Sequence, residues 1–195
     1  MSSLLLFTGD SITAGGRRDD PGGLGFGYVR IIADRLAAAG DERRVLNTGV
    51  GGDRVRDLRA RWNEDVLAHA PQTLSVFVGI NDTWRRYDSG QVTTAERFER
   101  DYVALLETVS VERLVIVEPF VLPVTVEQRE WWVDLDPKRA IAADVAARCD
   151  ATFVPLHSIL TSAADGHGAA ALAADGVHPT PLGAQLIADA VAAAL

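Results

Sequence analysis

The sequence predicts a three-layer α/β/α sandwich around a parallel five-stranded sheet, and three observations carry that prediction. Apolar runs of strand length alternate with amphipathic stretches of helical length. The runs 74–78 and 113–117 are almost unbroken in apolar residues, as strands covered on both faces are. Polar or glycine-rich stretches follow the first three strands, at Asp10-Ser11, Gly51-Gly52 and Asn81-Asp82, and a fourth, Asp175 to His178, precedes the last helix. Such alternation implies right-handed βαβ units whose loops converge on the carboxyl edge of the sheet, where open α/β folds bind ligands. With no internal repeat and no Pro/Gly/Ser linker in 195 residues, residues 1–195 read as one domain.

Each element has a local signal. Leu4 to Phe7 is a first strand that ends at Gly9, so Asp10-Ser11 sits where the strand leaves the sheet. Tyr28 to Ala37 is a helix stopped by Gly40. Val45 to Thr48 is a short strand, and the helix after Gly49-Val50-Gly51-Gly52 repeats Val55, Leu58, Trp62 and Val66 at helical spacing, which makes Trp62 a core residue. Leu74 to Val78 is the third strand. Thr93-x-x-Glu96 is a capping box, opening a helix with Phe98, Tyr102, Leu105 and Val109 on one stripe. Arg113 to Val117 is the fourth strand. Residues 118–137 keep no steady period and read as a long excursion. Pro137 to Arg148 is a helix, Ala151 to Val154 a fifth strand, and Leu156 to Ala174 a helical stretch. Thr180 then caps, and Pro181 starts, a final helix to Leu195.

The net charge of −8 argues against nucleic acid or an anionic membrane surface as partner, because both need a basic face. Arg54, Arg56, Arg59 and Arg61 interleave with Asp53, Asp57, Glu64 and Asp65, the pattern of a solvated, salt-bridged helix face. Cys149 is the only cysteine, which excludes a disulfide framework within the chain, and its apolar neighbours suggest a buried thiol. No apolar run reaches membrane-spanning length and no signal-peptide pattern opens the sequence, so a cytoplasmic protein is expected.

Ser11 is the candidate nucleophile. A serine hydroxyl needs a base, and His178 has the side chain whose ordinary pKa suits that task near neutrality. Asp175, three residues earlier, can accept the proton on the far ring nitrogen and stabilise the imidazolium that forms. Attack on an acyl carbonyl also needs donors for the developing oxyanion; the candidates are the backbone N–H groups of Ser11 and Gly52 and the side-chain amide of Asn81.

Gly9-Asp10-Ser11-Ile12, Asn47-x-Gly49-x-x-Gly52, Gly79-Ile80-Asn81-Asp82 and Asp175-x-x-His178-Pro179 resemble, in order and spacing, the four sequence blocks of the SGNH (GDSL-type) esterases and lipases. The resemblance implies a flavodoxin-like sheet and a metal-free, cofactor-free serine hydrolase. Ser11, His178 and Asp175 would be its triad, and Ser11, Gly52 and Asn81 its oxyanion hole. The runs Val55-Arg56-Asp57-Leu58 with Arg61-Trp62, and Gly79 to Tyr87, resemble the branch containing acetylxylan esterases, which implies acetylated xylo-oligosaccharides as substrates and a homo-oligomer. Ile12 stands where the family name places leucine, a conservative change.

Asp10 and Asp82 read as supports for Ser11 and Asn81. A divalent metal held by Asp10, Asp82, Asp175 and His178 would leave Ser11, Gly52 and Asn81 without a role. Trp84, Trp131 and Trp132 offer flat faces to a sugar ring. On an extended segment adjacent tryptophans face opposite ways, so at most one of Trp131 and Trp132 lines a given pocket. Within the enzyme class the alternative is a lysophospholipase or thioesterase. Outside it stands a flavodoxin-like module holding a phosphate at Gly9 to Gly16, against which the absence of a Walker lysine weighs, Lys138 being the only lysine.

Overall fold

The computed structural model describes residues 3–195. Strands β1 (Leu4–Gly9), β2 (Arg44–Asn47), β3 (Thr73–Phe77), β4 (Arg113–Val117) and β5 (Thr152–Val154) form one parallel sheet in the order β2-β1-β3-β4-β5. The helices are α1 (Ser11–Ala14), α2 (Tyr28–Ala38), α3 (Val55–Ala60), α4 (Trp62–Asp65), α5 (Ile80–Ser89), α6 (Ala95–Leu106), α7 (Trp132–Arg148), α8 (Leu156–His167), α9 (Ala169–Leu172) and α10 (Pro181–Ala192). After β1 the chain steps to β2 on one side and then to β3 on the other. The crevice at that reversal is the topological switch point of the sheet.

Alternation along the strands builds two cores. Leu5 and Phe7 on β1, Phe77 on β3 and Val115 and Val117 on β4 pack with α2, α8 and α10. Leu6, Leu74, Val76, Leu114 and Ile116 point the other way, onto Val55, Leu58 and Trp62, Phe98 and Tyr102 on α6, and Val145 on α7. Apolar residues at successive positions of β1, β3 and β4 thus serve both layers, which produces the predicted sandwich. Trp62 is buried, with its indole N–H donating to Thr108 Oγ1 at 3.0 Å, a core role as the spacing implies.

Several local expectations are corrected. The single helix expected from Val55 to Val66 breaks at Arg61, whose side chain turns inward. Gly79 to Asp82 is not wholly loop, because α5 begins at Ile80. The cap of α6 is Thr94, which accepts from the Arg97 N–H at 3.3 Å, while Thr93 is buried. Residues 127–131 form a helical turn running into α7, which therefore starts five residues before Pro137. Lys138 Nζ donates to Thr83 Oγ1 at 3.2 Å, and Arg86 reaches Asp134 at 3.2 Å, so tertiary contacts offset the hydrogen bond that proline lacks. Cys149 is exposed rather than buried, because α7 ends beside it. No described helix is long and apolar enough to cross a membrane.

Candidate active site

The sheet order sets the site. β1 lies between β2 and β3, so the segments carrying Ser11, Gly51-Gly52 and Asn81 leave neighbouring strands at one edge. Gly9 makes the turn after β1 possible: a Cβ there would lie 2.0 Å from the Phe77 carbonyl oxygen. Asp10 caps α1 by accepting from the Ile12 N–H at 3.0 Å, which places Ser11 at the first helical position. Its own N–H, in the first turn, has no intrahelical partner.

Ser11 Oγ lies 3.0 Å from His178 Nε2, and His178 Nδ1 lies 2.6 Å from Asp175 Oδ2. The other carboxylate oxygen of Asp175 accepts from the backbone N–H groups of His178 at 2.7 Å and Val177 at 2.9 Å. Burial pushes this carboxyl up, but its hydrogen bonds from the His178 ring and from these two amides outweigh that and hold it below the usual range. A carboxylate that stays ionised is what an adjacent imidazolium needs.

Gly52 adopts φ +85°, a left-handed conformation that an L side chain resists, in the turn beside Ser11. Asn81, buried in the first turn of α5, donates from Nδ2 to the Asp53 carbonyl at 3.1 Å. One amide proton is thereby fixed and the second remains for another acceptor. Asp53 is held in turn by Arg61 Nε at 2.6 Å, and the same guanidinium donates to the carbonyls of Thr48 at 2.6 Å and Gly9 at 3.0 Å. Arg61 is therefore a half-buried clamp between the ends of β1 and β2, not part of a fully solvated face.

Asp10 and Asp82 lie beneath this layer. Asp82 Oδ2 accepts from the Val55 N–H at 3.0 Å, whereas Asp10 Oδ2 and Asp82 Oδ1 have no partner among the described residues. Burial, reinforced by Asp53 and Asp82, pushes Asp10 up to about 7; burial pushes Asp82 up to about 6. Both carboxylates accept from backbone N–H groups, Asp10 from Ile12 and Asp82 from Val55, rather than from Ser11 or Asn81.

Among the tryptophans, Trp84 meets the His178 ring at a centroid distance of 5.6 Å, and Trp131 packs on Trp84 at 5.6 Å and on Tyr87 at 5.5 Å. Trp131 is buried and Trp132 is 38% exposed. The pair is helical rather than extended, and Trp132 lines neither cavity beside the site. The sequence reading missed Gln128. Its Nε2 donates to the Asp175 carbonyl at 2.7 Å and its Oε1 accepts from the Val124 N–H at 2.9 Å, while the Leu122 N–H donates to the Gly176 carbonyl at 2.8 Å. The excursion thus grips the loop carrying Asp175. The pattern Thr125-x-x-Gln128, which has the form of a capping box, was the available signal.

An open α/β sheet with a serine, an imidazole and a carboxylate in hydrogen-bonded sequence at its carboxyl edge defines the class, a serine hydrolase. The family model for the GDSL-like lipase/acylhydrolase family matches residues 7–186, and the chain belongs to that family; it is a serine carboxylic ester hydrolase. An acetylxylan esterase of Geobacillus stearothermophilus is 35% identical over 202 residues, 95% of this chain and 90% of that protein. A crystal structure of a catalytic mutant of Axe2, an acetylxylan esterase from the same organism with a histidine replaced by alanine, superposes with a TM-score of 0.91 at 32% identity, covering 100% of this chain and 95% of that one. Another Axe2 catalytic mutant replaces a serine. LAE5, an α/β hydrolase from the metagenome of Lake Arreo, Spain, is 28% identical with a TM-score of 0.89, covering 100% and 96%.

Proposed function

We propose that this esterase removes acetyl groups from acetylated xylo-oligosaccharides through an acyl-serine intermediate. The observation that carries the mechanism is the continuous relay Ser11 Oγ, His178, Asp175, with contacts of 3.0 and 2.6 Å. His178 Nε2 takes the Ser11 proton as Oγ bonds to the ester carbon, and Asp175 stabilises the imidazolium. The oxyanion is received by the Ser11 and Gly52 N–H groups and the free amide proton of Asn81. As the carbon–oxygen bond to the alcohol breaks, His178 returns its proton to the leaving oxygen. Water, deprotonated by His178, then releases the acid and restores Ser11.

The substrate assignment rests on the likeness to acetylxylan esterase, one structure of which is described as an acetyl-xylooligosaccharide esterase. Trp84 and Trp131 support it by walling a cavity of about 590 Å3 beside Asp175. Residues 1–195 acting as one domain, a cytoplasmic location and a homo-oligomeric state belong to the same reading. One continuous sheet supports the first, and exposed Val126, Trp132 and Val133 support the last.

The test is acetate release from acetylated xylo-oligosaccharides by wild type and Ser11→Ala, with p-nitrophenyl acetate as control. Wild type is expected to release acetate from both and the variant from neither. Cleavage of the control alone overturns the sugar assignment, and activity retained in Ser11→Ala overturns the mechanism.

A further inference from the structure

The missing side chain of Gly52 also lets a charge come close. A Cβ on Gly52 would lie 3.3 Å from Arg85 Nη2, so the guanidinium rests against the face of the residue that any other side chain would cover. Arg85 lies on α5 four residues after Asn81 and one after Trp84, and helix positions three and four apart share a face. The stripe that carries the Asn81 amide and the indole beside His178 therefore carries Arg85 as well. Arg85 Nη1 donates to Asp88 Oδ2, while Nε and Nη2 have no acceptor among the described residues. The other arginines at this turn are fully occupied: Arg54 donates to Asp57 and Gln91, and Arg61 to Asp53, Asp65 and the Thr48 and Gly9 carbonyls. A Cβ on Gly51 would lie 3.8 Å from Ser11 Cβ, so a single turn of backbone separates the unpaired edge of Arg85 from the nucleophile.

Resting on the serine mechanism above, negative charge gathers on the ester oxygen as Ser11 Oγ attacks, and the Gly52 N–H is one of the groups that receive it. We propose that Arg85 is a positioning residue of this oxyanion hole, whose guanidinium sets a positive charge beside Gly52 and favours the charged tetrahedral intermediate over the neutral ester. The bonds made and broken are those of the reaction already described. A positive charge gains little from a neutral ground state, so the effect falls on kcat rather than on KM. Arg85 is half-buried, Asp88 offsets part of its charge, and its field acts through Gly52 rather than through a direct hydrogen bond. The expected factor is therefore about tenfold, below the two to three orders of magnitude typical of a direct donor.

The experiment compares p-nitrophenyl acetate kinetics in wild type, Arg85→Gln, Arg85→Lys and Asp88→Asn, together with inhibition by trifluoroacetone. Ser11 Oγ adds to the carbonyl carbon of that ketone, His178 takes the serine proton, and the ketone oxygen becomes an oxyanion in the place of the reaction's own. Neither Arg85 nor Asp88 belongs to the buried core, so the fold is kept. Arg85→Gln is expected to lower kcat about tenfold, to leave KM within about twofold, and to raise the trifluoroacetone Ki by the same factor as kcat falls. Arg85→Lys, which keeps the charge, should stay within about threefold of wild type. Asp88→Asn breaks the ion pair but leaves the arginine, and should keep at least the wild-type kcat. Wild-type kcat in Arg85→Gln overturns the proposal. So does a loss in Arg85→Lys or Asp88→Asn as large as that in Arg85→Gln, since either would assign the arginine to a structural ion pair. Activity retained in Ser11→Ala overturns the underlying mechanism instead, so the two failures are distinguishable.

Discussion

Asn81 shows how one side chain depends on its neighbours. Its amide can serve as an oxyanion donor because Asp53 fixes one of its two protons, and Asp53 stays in place through Arg61. Removing one preorganised donor costs about 3–4 kcal/mol in the barrier. Asn81→Ala is therefore expected to lower kcat on p-nitrophenyl acetate by roughly two to three orders of magnitude, while circular dichroism keeps the wild-type fold. Full activity in this variant would remove Asn81 from the mechanism. The position of Asn81 was legible in the sequence because its block follows a strand; its partners were not, since Asp53 lies 28 residues away.

At the scale of elements, the stretch from 118 to 131 carries no regular strand yet fastens the loop that carries Asp175. Gln128 bridges the Asp175 carbonyl and the Val124 N–H, and Gly176 sits so close that a Cβ on it would lie 2.7 Å from Gln128 Oε1. Gln128→Ala leaves two backbone groups without their partner and loosens the aspartate behind His178. Because small misplacements of catalytic groups are costly, kcat is expected to fall about tenfold with KM changed little. A steady-state comparison on p-nitrophenyl acetate checks this, and a loss confined to thermal stability would show that the grip serves folding alone.

The same distinction governs α7. A proline ordinarily marks a helix start, which placed the beginning of this helix at Pro137. The structure begins it at Trp132, because Trp131 stacks on Tyr87 and Lys138 Nζ donates to Thr83 Oγ1 on α5 at 3.2 Å. Local propensity was outvoted by contacts made across the fold.

For the whole molecule, the carboxylates beneath the site tie stability to pH. Asp10, raised to about 7, and Asp82, raised to about 6, hold protons that the unfolded chain releases at lower pH. The sign follows: their contribution is complete below the ordinary carboxylate range and is lost as pH rises through about 6 to 7. For Asp10 alone the full excursion is about 4 kcal/mol. Urea unfolding should give a lower midpoint at pH 8 than at pH 5. Asp10→Asn keeps the acceptor for the Ile12 N–H and removes the titration, so its midpoint should change less over that interval. An unchanged wild-type midpoint would mean that water or a partner group stabilises the ionised form.

The sequence by itself determined the layers of the sheet, the order of the strands along the chain and the four short segments that carry Ser11, Gly52, Asn81, Asp175 and His178. Those features come from alternation, caps and turns, whose physics acts within a few residues. Tertiary structure decided which groups support them. Arg61 reaches the Gly9 carbonyl across 52 positions and Gln128 reaches Asp175 across 47. It also decided that Trp131 faces the site while Trp132 faces away, and that Phe26 and Ala184 enclose one groove. Such contacts depend on how packed layers bring distant segments together, and no local periodicity encodes that distance.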